Sequence, residues 1–148
     1  MASCLRPALM ACALLLAAPA FAGASETERR VLAEINDLRA ANGVEAVRRS
    51  RSLARSAGRY ATHILRVDRA HHHSQVWASS RFRLTGENIA WESGSRRDAE
   101  RVVTLWAESA SHRKVLLDPR FTWGGVGREY GRLGSRRATV WVVHLGRR

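Results

Sequence analysis

Ala138-Thr139-Val140-Trp141-Val142-Val143-His144-Leu145 is the stretch that decides the fold. Strand alternation puts Val140 and Val142 on one face and Trp141, Val143 and Leu145 on the other, so both faces need cover. Such a strand sits inside a sheet that has packed layers above and below it. Residues 131–135 supply the turn before it, and the segment from Phe121, with Trp123, Val126 and Tyr130, reads as a strand leading into that turn. Gly124, Gly125 and Gly127 strip this strand of side chains, which lets another backbone approach closely.

The covering layers lie upstream. Leu53, Ala57, Tyr60, Ala61 and Ile64 recur at helical spacing after Ser50, a suitable N-cap, and predict a helix with Arg51, Arg55, Arg59 and Arg66 on its opposite face. Val31, Leu32, Ile35 and Leu38 predict an earlier helix. Ser25 and Glu28 have the spacing of a capping box at its start, and Asn42-Gly43 stops it near Ala41. A third helix follows Ser95-Arg96-Arg97-Asp98 and carries Val102, Leu105 and Trp106. Residues 111–117 form one or two turns before Pro119. Residues 68–85 lose periodicity and read as loop, and residues 86–92 as a short extended segment. Helices before and strands after, closing on a doubly buried strand, give an α+β three-layer α-β-α sandwich, a single domain over residues 23–148.

The opening residues stand apart. Residues 8–18 are apolar behind Arg6, and Ala20-Phe21-Ala22 is a small-x-small cleavage pattern, so residues 1–22 read as a secretory signal cut after Ala22. The product is expected to be secreted or periplasmic. The apolar run is shorter than the roughly 20 residues of a membrane span, and no later stretch approaches one, so no transmembrane segment is expected once the leader is removed. Cys12 sits too early for a lipoprotein signal. Because Cys4 and Cys12 both fall in the leader, the core must hold without disulfides.

The 148 residues, 45% hydrophobic and 26% charged, fit one globular domain. The excess of 25 Lys+Arg over 13 Asp+Glu, a formal charge of +12, is dispersed among apolar positions, which argues against a disordered basic tail. Outside the cytoplasm such a chain meets anionic surfaces, and the Arg51, Arg55, Arg59 and Arg66 face is a candidate for binding an anionic cell-envelope polymer. Secretion, and the lack of a helix-turn-helix or RNA-binding signature, argue against a nucleic-acid partner.

Chemistry concentrates in three groups: His71-His72-His73, Glu87 within Gly86-Glu87-Asn88-Ile89-Ala90, and His112 in Ser109-Ala110-Ser111-His112-Arg113. No HExxH or CxxC zinc motif, nucleotide-binding glycine loop or GxSxG elbow occurs. Two histidines and a carboxylate gathered by the fold are able to hold a divalent cation or to run acid–base chemistry on a water. His71 and His72 read as loop histidines without a role, and His63 and His144 as structural.

The order of these pieces resembles the CAP superfamily of cysteine-rich secretory, antigen 5 and pathogenesis-related 1 proteins. The pieces are Val31-Leu32-Ala33-Glu34-Ile35-Asn36, His73-Ser74, Gly86-Glu87-Asn88-Ile89-Ala90, Trp106 with Ser109 and His112-Arg113, Phe121-Thr122, Gly125-Val126-Gly127 and the closing strand. The likeness is strongest to short bacterial SCP-like members and covers residues 28–146. It implies a cleft lined by two histidines and two acids in which some members bind zinc or another divalent cation. By position, His73 and His112 are then the metal ligands and Glu87, Asn88 and Ser109 line the cleft. Ser109 replaces the second acid, and the neighbouring Glu108 is turned by about 100° away from the shared face. The resemblance also brings a lipid or sterol as a candidate partner. The expected function is a secreted binding module and not an enzyme; an enzyme here would be a metal-assisted hydrolase, a peptidase for example, with Glu87 its candidate catalytic residue.

Overall fold

The computed structural model describes residues 25–72, 76 and 79–148. The elements run α1 (Glu26–Ala41), β1 (Arg48–Arg49), α2 (Arg51–Val67), a 3-10 turn (Ser79–Arg81), β2 (Leu84–Ser93), α3 (Ala99–Glu108), α4 (Ala110–Leu116), β3 (Trp123–Leu133) and β4 (Arg136–Arg147). One sheet has the order β1-β3-β4-β2, with β1 parallel to β3 and the other neighbours antiparallel. Among the described residues no helix is long and apolar enough to cross a membrane.

β4 lies between β3 and β2 and is buried without a break over residues 138–146, as its two apolar faces require. Val140 and Val142 pack against Ala57, Tyr60, Ala61 and Ile64 of α2. On the other face Trp141, Val143 and Leu145 join Val31 and Ile35 of α1 and Val102 and Trp106 of α3. The result is the α-β-α sandwich, with α2 as one outer layer and α1, α3 and α4 as the other. The glycines of β3 set the spacing of the α2 layer. A Cβ on Gly125 would lie 2.1 Å from the Ala54 amide nitrogen, and one on Gly127 2.1 Å from that of Gly58, so helix backbone rests directly on strand backbone.

Caps explain where the helices begin. The Ser50 hydroxyl accepts from the Leu53 N–H at 3.4 Å, and the Asp98 carboxylate from the Arg101 N–H at 3.0 Å. The expected capping box at Ser25 forms differently: its hydroxyl donates to the Glu28 carboxylate and caps no backbone N–H. A charged acceptor makes the stronger bond and takes the hydroxyl away from the helix. The β3–β4 turn is also tighter than the five residues anticipated, since both strands extend to Gly134-Ser135 with Gly134 at φ +62. Glycine with positive φ as the first of two turn residues matches the twist of a hairpin. The two-residue β1 had no counterpart in the sequence reading, because two residues carry no alternation.

A buried cation locks the α1 layer. The Arg39 guanidinium is fully buried and donates to the carbonyls of Glu45 at 2.7 Å, Leu116 at 2.5 Å, Phe121 at 3.1 Å and Asp118 at 3.2 Å. It thereby ties the end of α1 to the end of α4 and to the loop that enters β3. Burial pulls its pKa below the usual guanidinium range, and Asp118 partly offsets this.

Candidate functional site

β2 is an edge strand, and its alternation divides Glu87 from Asn88. Asn88, fully buried, turns toward α4 and donates through Nδ2 to the His112 carbonyl at 2.9 Å. Glu87 sits across the ladder from His144 of β4, and the two side chains meet: His144 Nε2 lies 2.9 Å from Glu87 Oε2. The second carboxylate oxygen is 3.0 Å from His72 Nδ1. Only 7% of the Glu87 side chain and 1% of the His144 side chain are exposed, whereas His72 is 60% exposed. The site is therefore a buried carboxylate held by one core imidazole and one imidazole from the solvent side.

The surroundings set its charge. Burial pushes the Glu87 carboxyl upward, but the hydrogen bonds from His144 and His72, with the charge of both rings, outweigh it and hold the pKa below the ordinary value. Tyr60 of α2 has its ring 6.2 Å from that of His144 and donates its hydroxyl to the His71 carbonyl at 2.5 Å. Burial and the Glu87 charge push its phenol up to about 12. His112 places its ring 6.4 Å from that of His72, and its pKa is lowered by burial and by His72. Near neutral pH the site thus holds an ionised carboxylate and a neutral His112 imidazole.

The residues anticipated from sequence fall as follows. Glu87 and His112 lie at the same β2–α4 edge, with the His112 ring near that of His72, which bonds to Glu87, and Asn88 fixes the position of α4. Ser109 is the residue between α3 and α4, and its hydroxyl pairs with Ser111 at 3.2 Å, outside the hydrogen-bonded cluster. Glu108 is exposed. His73 lies outside the described residues. Arg51, Arg55, Arg59 and Arg66 are all exposed on α2, with Arg66 bonded to His63 at 3.0 Å.

Two histidines gain a partner that the sequence did not name. His72, read as a loop histidine without a role, and His144, read as structural, both bond to Glu87. His144 carried a usable signal, because a histidine inside the otherwise apolar run of residues 140–145 of a two-faced strand needs a buried partner. Nothing in three consecutive histidines marked His72. The donor set, carboxylate and imidazole, suits a zinc-like cation. Among the described residues, however, no three such side chains already converge as a ligand set, and both Glu87 oxygens are engaged by imidazoles.

Comparison with known proteins identifies the fold. No curated protein matches the chain in sequence. The structure is similar to an outer surface protein from Borrelia burgdorferi, with 22% identity over 86% of this chain and 96% of that one and a TM-score of 0.66. It is also similar to an extracellular protein containing a SCP domain from Bacillus anthracis, at 21% identity and a TM-score of 0.66 over 82% of this chain, which spans only 40% of that protein. A third similar structure is NaASP2 with Zn2+, at 16% identity and a TM-score of 0.63, covering 82% of this chain and 80% of that one. At these identities the likenesses establish the fold. The sequence pattern of the cysteine-rich secretory protein family, CAP, matches residues 32–145, and the chain belongs to that family.

Proposed function

We propose that the chain is an extracytoplasmic CAP binding module whose β2–α4 edge holds a divalent cation, zinc foremost. Glu87 and His112 would be ligands, with His73 the further ligand expected from its family position. The observation that carries this reading is the buried Glu87 carboxylate clasped by His144 and His72, with the His112 ring beside His72. A cation needs ligands that have already lost their protons, and Glu87 and His112 are both shifted toward that state. His72 is exposed, so its bond to Glu87 is readily exchanged for a cation. His144 is buried and would orient the carboxylate from behind. A bound cation would supply positive charge able to attract an anionic or carbonyl-bearing ligand.

Binding fits better than hydrolysis. A general base works best with a pKa near the working pH, and the Glu87 carboxyl is held below its ordinary value. A lipid or sterol partner enters the proposal through the family resemblance. The extracytoplasmic location is supported by the leader pattern of residues 1–22 and by outer-surface and extracellular proteins among the similar structures.

Thermal melting with and without added Zn2+ tests the proposal, since a ligand that binds only the folded state raises the midpoint by mass action. The midpoint should rise for the native chain and stay unchanged in Glu87→Gln and His112→Ala. An unmoved native midpoint, or an equal rise in all three, overturns it.

A further inference from the structure

A cavity of about 260 Å³ opens beside the start of α2, lined by Arg49, Arg51, Arg55, Arg81, Arg148 and Trp123 together with Ser50 and Ser52. None of these residues is acidic, and among the described residues no carboxylate lies within ion-pair distance of any of the five arginines. Five guanidinium groups gathered with no acidic side chain among them repel one another and create a positive concavity. Backbone groups add to it. The Ser50 hydroxyl and carbonyl take the Leu53 and Ala54 N–H groups, and the Ser50 N–H goes to Gly124. The Arg51 and Ser52 N–H groups are left without an intramolecular partner among the described residues, at the positive end of a 17-residue helix with no acid in its first turn.

The chemistry of the lining selects the ligand. Guanidinium forks match the oxygens of a phosphate group, pairing with them two at a time. Trp123 is not available for stacking a planar ring, because the Arg48 and Arg148 guanidiniums already sit 4.3 and 4.4 Å from its centroid. The volume falls below the 300–1,000 Å³ or so of pockets that enclose larger organic ligands. It suits one or two phosphate groups better than an acyl chain or a nucleobase.

We infer that this cavity is a binding site for a phosphate or diphosphate group, either free in solution or carried as a lipid headgroup. It is independent of the cation reading, since it shares no residue with the β2–α4 edge. Of the four arginines of the α2 face, only Arg51 and Arg55 take part, and Arg49, Arg81 and Arg148 come from β1, the 3-10 turn and the chain end.

The test uses the purified chain with two probes, inorganic pyrophosphate by calorimetry and phosphatidylcholine vesicles with or without phosphatidic acid by co-sedimentation. Two double variants of equal charge are compared: Arg51→Gln/Arg55→Gln inside the cavity, and Arg66→Gln/Arg136→Gln outside it. The expected result is binding of at least one probe, weakened tenfold or more, on the order of one arginine–phosphate contact, by the cavity pair and by less than about twofold in the outer pair. Binding of pyrophosphate alone assigns a soluble phosphate ligand, and binding of phosphatidic acid vesicles assigns a headgroup. No binding of either probe overturns the site, and so does equal weakening by both pairs, which reports only general cationic attraction.

Discussion

Glu87 stays ionised because two imidazoles face it. That pairing rests on a single ladder position, Glu87 opposite His144, and a one-residue slip between β2 and β4 would bury the carboxylate among Trp141 and Val143 instead. His144→Phe should therefore keep the core filled while releasing one carboxylate oxygen. If His144 orients a ligand, its loss should weaken Zn2+ affinity by about 10- to 100-fold, as removal of supporting partners does elsewhere. Calorimetry on a variant shown to be folded checks this. Arg39 makes the opposite kind of contribution, structural and remote from chemistry. Arg39→Ala leaves four carbonyls in a dry site and should cost about 3 kcal/mol or more in urea unfolding. Arg39→Lys should recover little, because one ammonium cannot span four carbonyls. Arg39 was not legible in advance. Arg39 looks like any basic residue in the last turn of a helix, and only the three-dimensional meeting of α1, α4 and the loop before β3 reveals its acceptors.

Elements were more legible than single residues. The α2 stripe appears in the structure as anticipated, with Leu53, Ala57, Tyr60, Ala61 and Ile64 all at 1% exposure or less. Such a stripe is readable because burial of one face forces its period on the sequence. The same holds for the two-faced β4 and for the glycines of β3, whose missing side chains make room for α2. The asymmetry of that contact gives a sharp prediction. Gly127→Ala would press a methyl group against the Gly58 backbone and should cost about 3 kcal/mol. Gly58→Ala meets nothing within 4 Å and sits in a helix interior, so it should stabilise the fold by about 0.5–1 kcal/mol. Paired denaturation curves decide it, and equal effects of the two substitutions would show that α2 does not rest on β3 as described. β1 and the lengths of the β3–β4 arms were unreadable for a different reason, since pairing partners set them and local pattern does not.

At the scale of the whole molecule, the fold brings three distant segments to one edge: the loop after α2, β2 with its neighbour β4, and α4. The family resemblance pointed to Glu87 and His112, but the hydrogen-bond partners of Glu87 had to come from the structure because they depend on sheet register. The assembled charges predict an acid response. His112 has a lowered folded pKa, so the neutral ring is favoured in the folded state, and stability should begin to fall as pH drops below the ordinary imidazole value of about 6.5. Glu87 is also lowered, so its contribution is complete above the ordinary carboxylate value of about 4.3 and is lost as pH falls through its lower folded value. Unfolding free energy measured against pH should show both declines, with His112→Gln removing the upper and Glu87→Gln the lower. The same protonation states bear on cation binding. A calorimetric Zn2+ titration near pH 7.5, repeated in two buffers of different ionisation enthalpy, should show one cation per chain with little proton release, because Glu87 and His112 are already deprotonated there. Glu87→Gln and His112→Ala should each abolish that binding. A native chain that binds no Zn2+, or binding unchanged by either substitution, would contradict the assignment of the β2–α4 edge as a cation site.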